Sequence, residues 1–415
     1  MKKYDNYKDC GLEWLGMVPE HWEILPFKRG VSINNGRDYK HVKSEDGYPV
    51  IGSGGQFAYA SDYLYDGEVI LLGRKGTIDK PRYFSGKFWT VDTMFYAIPN
   101  QKCIAKYMYY QALTIPFSFY STDTALPSMT QSDLGNHLMC FPPISEQRII
   151  ASYLDQKVGQ IDALISEKEK MVEDLKAYRS SLITETVTKG LDKEVEMKDS
   201  GVEWIGRIPS TWKSSKIGRI YSDIGSGTTP DSNNNLYYKE DGFNWLQTGD
   251  LTDGYITETS RHISQLAIDE KHMRFYPVDS IVVAMYGATI GKVGYLKIET
   301  STNQACCVLP PSENMDAMYM FYMMQASKEI LISNSIGGGQ PNISQSIIKE
   351  HIIPVPPLRI QKEIASYLQN KIGKIVSILS EQEYQLSDLK SYKSSLITEA
   401  VTGKIDLRDW QTKKS

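Results

Sequence analysis

The sequence is poor in cysteine and has no long apolar run. Its 415 residues include five cysteines, and no two of them show a metal-binding spacing such as C-x-x-C. We therefore expect reduced, isolated thiols and no disulfide framework. No apolar run approaches the ~20 residues that span a bilayer, and the first residues lack the apolar stretch of a secretory signal. These absences predict a cytoplasmic protein without a membrane segment.

An excess of positive charge is also missing. The 46 Lys and Arg residues are outnumbered by 50 Asp and Glu residues, which gives a net charge of −4. Neither half of the chain reverses this balance. Bulk charge thus gives no sign of a nucleic-acid-binding protein, so that such a function must rest on local patches and on architecture.

Catalytic motifs are absent as well. The sequence has no N-P-P-Y or D-P-P-Y stretch to hold a flipped adenine, and its histidines form no H-E-x-x-H or triad pattern. The stretch "GATIGKVG" is one residue too short for a phosphate-binding loop, and Val293 replaces the required hydroxyl. We therefore expect no catalytic residue, no metal site and no cofactor in this chain.

The sequence does contain a long internal repeat. "KDCGLEWLGMVPEHW" (Lys8–Trp22) matches "KDSGVEWIGRIPSTW" (Lys198–Trp212), and "YRSSLITETVTKGLD" from Tyr178 matches "YKSSLITEAVTGKID" from Tyr392. Between these stretches lie divergent middles that keep only faint pairs such as "KGTIDK" and "GATIGK". The repeat predicts a molecule with a pseudo-two-fold axis, in which the C-terminal tail returns to the beginning of the chain.

The middles and the ends of the two copies differ in kind. Short apolar runs rich in Gly, Tyr, Val and Thr predict mostly β middles with some helix, whereas each end continues from a proline pair into a long helix. The expected fold class is α+β, with two globular mixed α/β domains joined by two long antiparallel coiled-coil helices. The predicted segments are a first domain (1–144), a first helix (145–190), a linker (191–200), a second domain (201–357), a second helix (358–404) and a tail (405–415).

Both long helices carry a heptad seam. Apolar residues alternate at spacings of four and three along each helix, which indicates a coiled coil. The seam residues are Leu154, Val158, Ile161, Ile165, Val172, Leu175, Leu182, Leu368, Ile372, Ile375, Leu379, Leu386, Leu389 and Leu396. Because only about ten residues join the first helix to the second copy, the second domain must start at the far end of that helix. We therefore expect antiparallel helices with one domain at each end.

Two unequal domains on a rigid spacer would act as a ruler for DNA. Modules in successive major grooves on one face of DNA lie ~34 Å apart, and a helix of ~45 residues, roughly 65 Å long, can hold that spacing. Because the middles differ in sequence, we expect them to read two different half-sites. The expected target is asymmetric and split.

This arrangement resembles the specificity subunit of type I restriction-modification systems. The resemblance covers essentially the whole chain and rests on a doubled order: G-x-E-W-x-G-x-x-P-x-x-W, a variable region, P-P-x-x-x-Q and a coiled helix. One departure is Ile360–Gln361, where the first copy has Glu146–Gln147.

The resemblance implies a division of labour in defence against foreign DNA. Two target recognition domains would read double-stranded DNA, and the helices would bind two methyltransferase (modification) subunits. Restriction subunits would join them in the full complex. S-adenosylmethionine, ATP and Mg would belong to those partners, and this chain would be a non-catalytic specificity subunit.

Candidate DNA contacts are basic residues, which bind phosphate, and amides or hydroxyls, which read base edges. In the first domain they are Lys28, Arg29, Arg37, Lys40, Arg74, Lys75, Lys80 and Arg82, with the densest patch in "GRKGTIDKPRY". In the second domain they are Gln247, Thr248, Arg261, Lys271, Arg274, Lys292, Gln340 and Asn342. Each stretch has a structural alternative: a solvated hairpin for the first, a strand with a turn for "NWLQTGD", and a glycine-rich connector for "GGGQPN".

Two other functions stay open on the sequence alone. A chain with net negative charge could be a protein-interaction scaffold that binds no DNA, and a hidden site could make it a self-contained DNA methyltransferase or nuclease. Sequence-selective, salt-dependent DNA binding by the assembled complex would exclude the scaffold. An activity assay of the purified chain would settle the enzyme hypothesis.

Overall fold

The computed structural model describes residues 2–120, 127–335 and 342–411. Its strands, in chain order, are β1 (Tyr7–Asp9), β2 (Met17–Pro19), β3 (Glu23–Pro26), β4 (Val31–Asn35), β5 (Lys43–Ser44), β6 (Tyr48–Gly52), β7 (Gly55–Ala60), β8 (Tyr65–Gly73), β9 (Arg82–Thr90), β10 (Met94–Pro99), β11 (Leu138–Phe141), β12 (Met197–Asp199), β13 (Arg207–Pro209), β14 (Lys213–Lys216), β15 (Gly225–Ser226), β16 (Tyr238–Leu246), β17 (Gly254–Ile256), β18 (Arg261–Ile263), β19 (Phe275–Tyr276), β20 (Ile281–Ala284), β21 (Val293–Leu296), β22 (Thr300–Thr302), β23 (Cys306–Leu309) and β24 (Ile352–Val355). Its helices are α1 (Ala105–Ala112), α2 (Phe117–Tyr120), α3 (Gln131–Asn136), α4 (Ile144–Lys189), α5 (Ile217–Ile220), α6 (Gln265–Lys271), α7 (Ala317–Ala326), α8 (Lys328–Ser333), α9 (Gln345–Glu350) and α10 (Leu358–Val401).

The chain divides into two compact units. The first consists of Met1–Glu169 with Glu383–Ser415, and the second of Lys170–Gln382. Each unit contains one globular domain together with part of α4 and part of α10. The mixed strand and helix content and the two long helices confirm the predicted α+β fold class.

Within the described residues, the first unit is built on a seven-stranded sheet of order β4-β10-β8-β9-β6-β7-β5. The second half of β8 is buried on both of its faces, to which alternate side chains of a strand point. Ile70 and Leu72 join one core cluster, whereas Val69 and Leu71 join another. The uninterrupted apolar run at residues 69–72 therefore supplies side chains to both clusters.

The β8–β9 hairpin contains a facing pair of glycines. Gly67 and Gly86 oppose each other in the ladder, with φ of 147° and 110° in the region that favours glycine. The ring centroids of Phe88 in β9 and Tyr96 in β10 are 5.7 Å apart. Only residues 91–93 join the end of β9 to the beginning of β10.

In the described part of the second unit, the same strand pattern occurs in divided form. One sheet has the order β15-β23-β20-β21-β17 and the other has the order β18-β16-β22-β19. In the first unit β6 runs parallel to β9 at Ile51↔Thr90, and here β16 runs parallel to β22 at Leu246↔Thr302. The structure thus supplies the match between the two middles that their sequences do not show.

Each long helix is fixed to its domain by the glutamine of the P-P-x-x-x-Q motif. At the start of α4, Gln147 accepts a hydrogen bond from the N–H of Ile104 at 3.0 Å and donates one to the carbonyl of the first motif proline at 2.9 Å. At the start of α10, Gln361 accepts from the N–H of Asp316 at 2.8 Å and donates to the corresponding proline carbonyl at 2.9 Å. Both glutamines are buried. The motif therefore satisfies backbone groups that a buried helix start would otherwise leave without partners.

The two helix ends are also alike. The hydroxyl of the buried Tyr107 donates to a carbonyl in the last turn of α10 at 3.3 Å, and that of Tyr319 donates to one in the last turn of α4 at 3.0 Å. Gly190 and Gly403 follow the helices with φ of 82° and 72°. This left-handed conformation is typical of a helix C-terminal glycine, as the sequence predicts.

In the first unit, α4 and α10 pair in antiparallel fashion. Asp162 and Lys393 form an ion pair at 2.6 Å, and Glu169 and Lys390 form one at 2.8 Å. Residue numbers along α10 therefore fall as those along α4 rise. Most seam residues of the two helices are buried, namely Leu154, Val158, Ile161, Ile165, Val172, Leu368, Ile372, Ile375, Leu379 and Leu396. The seam residues that are half-buried are Leu175, Leu182, Leu386 and Leu389.

None of the helices in the described part of the chain is long and apolar enough to cross a membrane.

The tail closes the first unit. The N–H of Asp406 donates to the carbonyl of Lys2 at 2.9 Å, and Leu407 is buried. The Trp410 ring meets the ring of Tyr153 edge-on, with 5.5 Å between the centroids. The chain thus returns to its beginning, as the repeat predicts.

The observed elements lie close to the predicted segment limits. The helix α4 occupies Ile144–Lys189, against a predicted 145–190, and α10 occupies Leu358–Val401, against 358–404. The predicted linker 191–200 contains β12, which pairs with β13 at the entrance to the second domain. The domain limits themselves stay predictions, because the compact units divide both helices.

Candidate nucleic-acid and partner interfaces

In the first domain, four connecting segments meet. They follow β4, β6, β8 and β9, and we call residues 36–39, 53–54, 74–81 and 91–93 the first loop cluster. The N–H of Gly36 donates to the carbonyl of Met94 at 3.0 Å, and that of Arg37 donates to Thr90 at 2.9 Å. The N–H of Arg74 donates to the carbonyl of residue 93 at 2.8 Å. These main-chain bonds fix the backbone from which the side chains project.

The second domain has an equivalent set of segments. Residues 227–229, 247–250, 285–292 and 303–305 form the second loop cluster. The N–H of Gly227 donates to the carbonyl of Asn303 at 3.3 Å, and that of Asn303 donates to Leu246 at 3.0 Å. The N–H of Met285 donates to the carbonyl of residue 305 at 2.8 Å. The Met285 bond corresponds to the Arg74 bond of the first domain, because Arg74 and Met285 each directly follow the strand that leads into the long loop.

Two further details show that the clusters share one backbone frame. A Cβ atom added to Gly36 would overlap with the carbonyl of residue 91, and one added to Gly227 would overlap with the carbonyl of residue 302. The residue after each glycine accepts a hydrogen bond from a buried indole N–H: Arg37 from Trp89 at 2.9 Å, and Thr228 from Trp245 at 3.1 Å. Arg37 and Thr228 are therefore structural equivalents.

A second chain segment braces the long loop of each cluster. In the first domain, the N–H of Met129 donates to the Arg74 carbonyl at 3.0 Å, and in the second the N–H of Ile343 donates to the Met285 carbonyl at 2.7 Å. Each segment then enters a short helix, α3 or α9, whose N-cap is a hydroxyl residue. Met129–Thr130 and Ile343–Ser344 are therefore structural equivalents.

The structure brings part of the predicted basic set of the first domain together. Lys75 and Lys80 are exposed in the long loop. The guanidinium of Arg74 lies over the Phe95 ring at 5.9 Å, and that of Arg82 lies beside the backbone of Gly55.

The remaining basic residues of that set lie elsewhere in the first domain. Lys28 and Arg29 belong to a 3-10 turn next to α3, and the ammonium of Lys28 donates to Oδ1 of Asn136 in α3 at 2.6 Å. Lys40 lies in a separate 3-10 turn that follows the loop cluster.

The predicted set of the second domain is divided in the same way. Gln247, Thr248 and Lys292 belong to the second loop cluster, and Asn342 lies next to its bracing segment. Gln340 lies outside the described residues.

The other three cations of the second domain lie against tyrosine rings. The distances to the ring centroids are 5.7 Å for Arg261 on Tyr238, 5.1 Å for Lys271 on Tyr237 and 4.7 Å for Arg274 on Tyr276. Arg274 also pairs with Asp223. Such contacts give these cations an intrachain role.

Sequence reasoning misses some polar residues of the second loop cluster. Gln304 is exposed and its Oε1 accepts a hydrogen bond from the hydroxyl of Thr229, while Asn303 is half-exposed. No motif marks these residues, and only the shared backbone frame relates them to Val91 and Asp92 of the first domain.

Four of the five cysteines are buried, and so are His137 and His351. Within the described residues, no group of three or more His, Cys, Asp or Glu side chains could hold a metal ion. Burial raises the pKa of the Cys140 and Cys307 thiols to about 12, which keeps them protonated and poorly nucleophilic. Burial likewise lowers the pKa of His137 and of His351 to about 4, so that both rings are neutral near pH 7.

The paired helices also carry exposed apolar side chains. In the first unit, Leu164 of α4 and Tyr392 of α10 are 48% and 51% exposed. Leu164 directly precedes the seam residue Ile165, and Tyr392 lies three residues after the seam residue Leu389. In the heptad, both lie on the flank opposite the Glu169–Lys390 ion pair. In the second unit, the repeat-equivalent residues Ile378 and Tyr178 are 43% and 56% exposed. The same apolar pair therefore occurs once in each unit.

Comparisons with known proteins agree with this architecture. The model of the type I restriction modification DNA specificity domain matches residues 20–174 and 209–386. The MjaVIII specificity subunit of Methanocaldococcus jannaschii, a type I restriction enzyme subunit, is 24% identical, with 98% of this chain and 97% of that protein covered. The EcoBI specificity subunit of Escherichia coli is 21% identical, with coverage of 94% and 87%. A structure from work on complex assembly and conformational transition of the type I R-M system has a similar fold, with a TM-score of 0.70, 15% identity and coverage of 94% and 99%.

Proposed function

We propose that this chain, which belongs to the type I restriction modification DNA specificity family, reads a split DNA sequence with its two loop clusters and seats two copies of a methyltransferase subunit on its two long helices. Each cluster takes one half-site. The target is asymmetric, because the clusters differ in their side chains.

One observation carries the DNA-reading part of this proposal. The two loop clusters share a backbone frame, down to a glycine without room for a Cβ atom and the indole hydrogen bond that follows it. The side chains at equivalent positions of this frame differ, for example Arg37 in one cluster and Thr228 in the other. A constant frame with variable polar side chains is what a reader of two unequal sequences requires, since base edges are distinguished by side-chain donors and acceptors.

The repeated apolar pairs support the seating of two identical partners. The repeat keeps an exposed leucine or isoleucine and an exposed tyrosine in both units, and exposed apolar patches mark protein-interaction sites. Tyr384 provides the contrast, because it is 67% exposed and its repeat equivalent is Lys170. We assign Leu164 with Tyr392 to one seat and Tyr178 with Ile378 to the other.

Catalysis belongs to the partners in this proposal. S-adenosylmethionine would serve the methyltransferase subunits, and ATP with Mg would serve restriction subunits that join them. The chain itself supplies recognition and assembly. Its net charge of −4 leads us to expect weak DNA binding by the isolated chain and strong, salt-dependent binding by the assembled complex.

Selection of bound DNA tests the reading function. The chain is assembled with its methyltransferase subunit, incubated with random duplexes, and the retained duplexes are sequenced. We expect an enriched motif of two separated, unequal blocks, which is lost when the methyltransferase subunit is used alone. Retention without any enriched motif would contradict the proposal and leave a scaffold.

Native mass spectrometry tests the two seats. The double variant Leu164→Ser, Tyr392→Ser should lower the number of bound methyltransferase subunits from two to one, and so should Tyr178→Ser, Ile378→Ser. All four substitutions together should abolish binding. The matched control, Tyr384→Ser, should keep both partners. Two bound subunits in every variant would contradict the assignment.

A further inference from the structure

We propose that the two loop clusters read different bases: the first recognises guanine through Arg37 and Arg74, and the second recognises adenine through Gln247 and Gln304. This inference rests on the proposed DNA-reading function. It goes further by assigning a base chemistry to each half of the target.

The first cluster presents two arginines from neighbouring points of one frame. Arg37 is exposed and Arg74 is half-exposed. Their N–H groups bond to carbonyls only three residues apart, those of Thr90 and Thr93. Both side chains therefore start from the same small area of surface.

Arg74 is held ready for a planar contact. Its guanidinium lies over the Phe95 ring at 5.9 Å and donates to the carbonyl of Asp92 at 3.4 Å. A guanidinium kept in one plane loses less entropy when it binds. Its two parallel donors match the O6 and N7 acceptors of guanine in the major groove.

The second cluster has no arginine at the equivalent positions. Thr228 replaces Arg37 and Met285 replaces Arg74, as the shared hydrogen bonds show. Where the first cluster has Asp92, the second has the exposed Gln304.

Two glutamines, Gln247 and Gln304, contribute amide groups to the accessible surface of this cluster. A glutamine amide pairs in bidentate fashion with N6 and N7 of adenine. The Thr229 hydroxyl donates to Oε1 of Gln304, which orients the amide. Gln247 is half-exposed at the end of the neighbouring strand β16, and its N–H donates to Asp250 at 2.8 Å. Two amides on adjacent segments thus give this cluster an adenine-reading surface.

The lysines have a different expected role. Lys75 and Lys80 are exposed in the long loop of the first cluster, where their ammonium groups suit phosphate. Loss of a phosphate contact weakens binding to all sequences alike, whereas loss of a base contact relaxes one position of the motif. This difference separates base-reading residues from positioning residues.

The experiment repeats the DNA selection with the assembled complex and single variants. Arg37→Ala and Arg74→Ala should each relax a guanine in one block of the motif, and Gln304→Ala should relax an adenine in the other block. Discrimination at the affected position should fall by roughly 5- to 150-fold, the worth of one bidentate pair. Lys75→Ala, as the matched control, should lower affinity without changing the motif.

The outcomes separate this inference from the function on which it rests. A split motif whose blocks contain guanine and adenine as assigned, each relaxed only by its own variants, supports both. A split motif that Arg37→Ala, Arg74→Ala and Gln304→Ala all leave unchanged overturns the base assignment and leaves the proposed function intact. The absence of any motif with the wild-type complex overturns both. Unfolding temperatures equal to wild type show that the variants are folded.

Discussion

Two buried histidines should make the stability of this protein depend on pH. His137 stacks on Trp14, with 5.2 Å between the ring centroids, and His351 stacks on Trp204 at 5.1 Å. Both rings are buried, and Nε2 of His351 has no hydrogen-bond partner. Protonation would place a positive charge away from water, which is why burial lowers each pKa from 6.5 to about 4.

The sign of the effect follows from proton binding. Between pH 6.5 and pH 4 the unfolded chain binds a proton at each histidine that the folded chain does not, so that acid favours unfolding in this range. The stabilisation is present above the unfolded pKa and is lost as the pH falls toward the folded pKa. From pH 7 to pH 5 the loss is about 2 kcal/mol for each histidine.

Urea unfolding of the full chain at pH 7 and at pH 5 measures this loss. The variant His137→Phe keeps a stacking ring but cannot titrate, so the difference in unfolding free energy between the two pH values should shrink by about 2 kcal/mol. His351→Phe should do the same. A matched control, His41→Phe, changes an exposed ring and should keep the wild-type difference. If His137→Phe and His351→Phe both retained the full pH dependence, the histidines would not be its source.

Three other changes test the fold. Gln361→Ala leaves the N–H of Asp316 and a proline carbonyl without partners, and urea unfolding should show a loss of ~1–3 kcal/mol. Gly36→Ala forces a Cβ against a carbonyl and should lower the melting temperature, whereas Gly54→Ala, at an open position, should not. Asp162→Asn removes an exposed ion pair with Lys393 and should cost at most about 1 kcal/mol, a cost that 1 M salt removes.

The repeat made the large-scale organisation predictable. Matching stretches at both ends of each copy impose matching structure, because they encode contacts that recur, such as those of Gln147 and Gln361. The seam likewise predicted the burial of apolar residues, since a helix that packs along its whole length must carry a regular stripe. These features depend on local periodicity and on identity between copies, and both can be read from one sequence.

The loop clusters were much less predictable. The indole that donates to the residue after the glycine without room for a Cβ atom comes from β9 in one domain and from β16 in the other, as Trp89 and Trp245 show. Such an equivalence cannot be aligned in sequence, because different strands supply the same contact. Charge alone also could not reveal that Arg261, Lys271 and Arg274 lie against tyrosine rings of their own domain, and their contact with DNA stays a prediction. The exposed Gln304 carries no motif and becomes visible only in the folded frame.

The most direct test of the central claim is the methylated motif of a host cell. The chain is expressed with its methyltransferase subunit in a strain without other DNA methylation, and modified bases are mapped across the genome. Two separated and unequal blocks that vanish when the chain is omitted would establish that it reads DNA with two different domains. A continuous motif, a symmetric motif or a motif that persists without the chain would contradict the account.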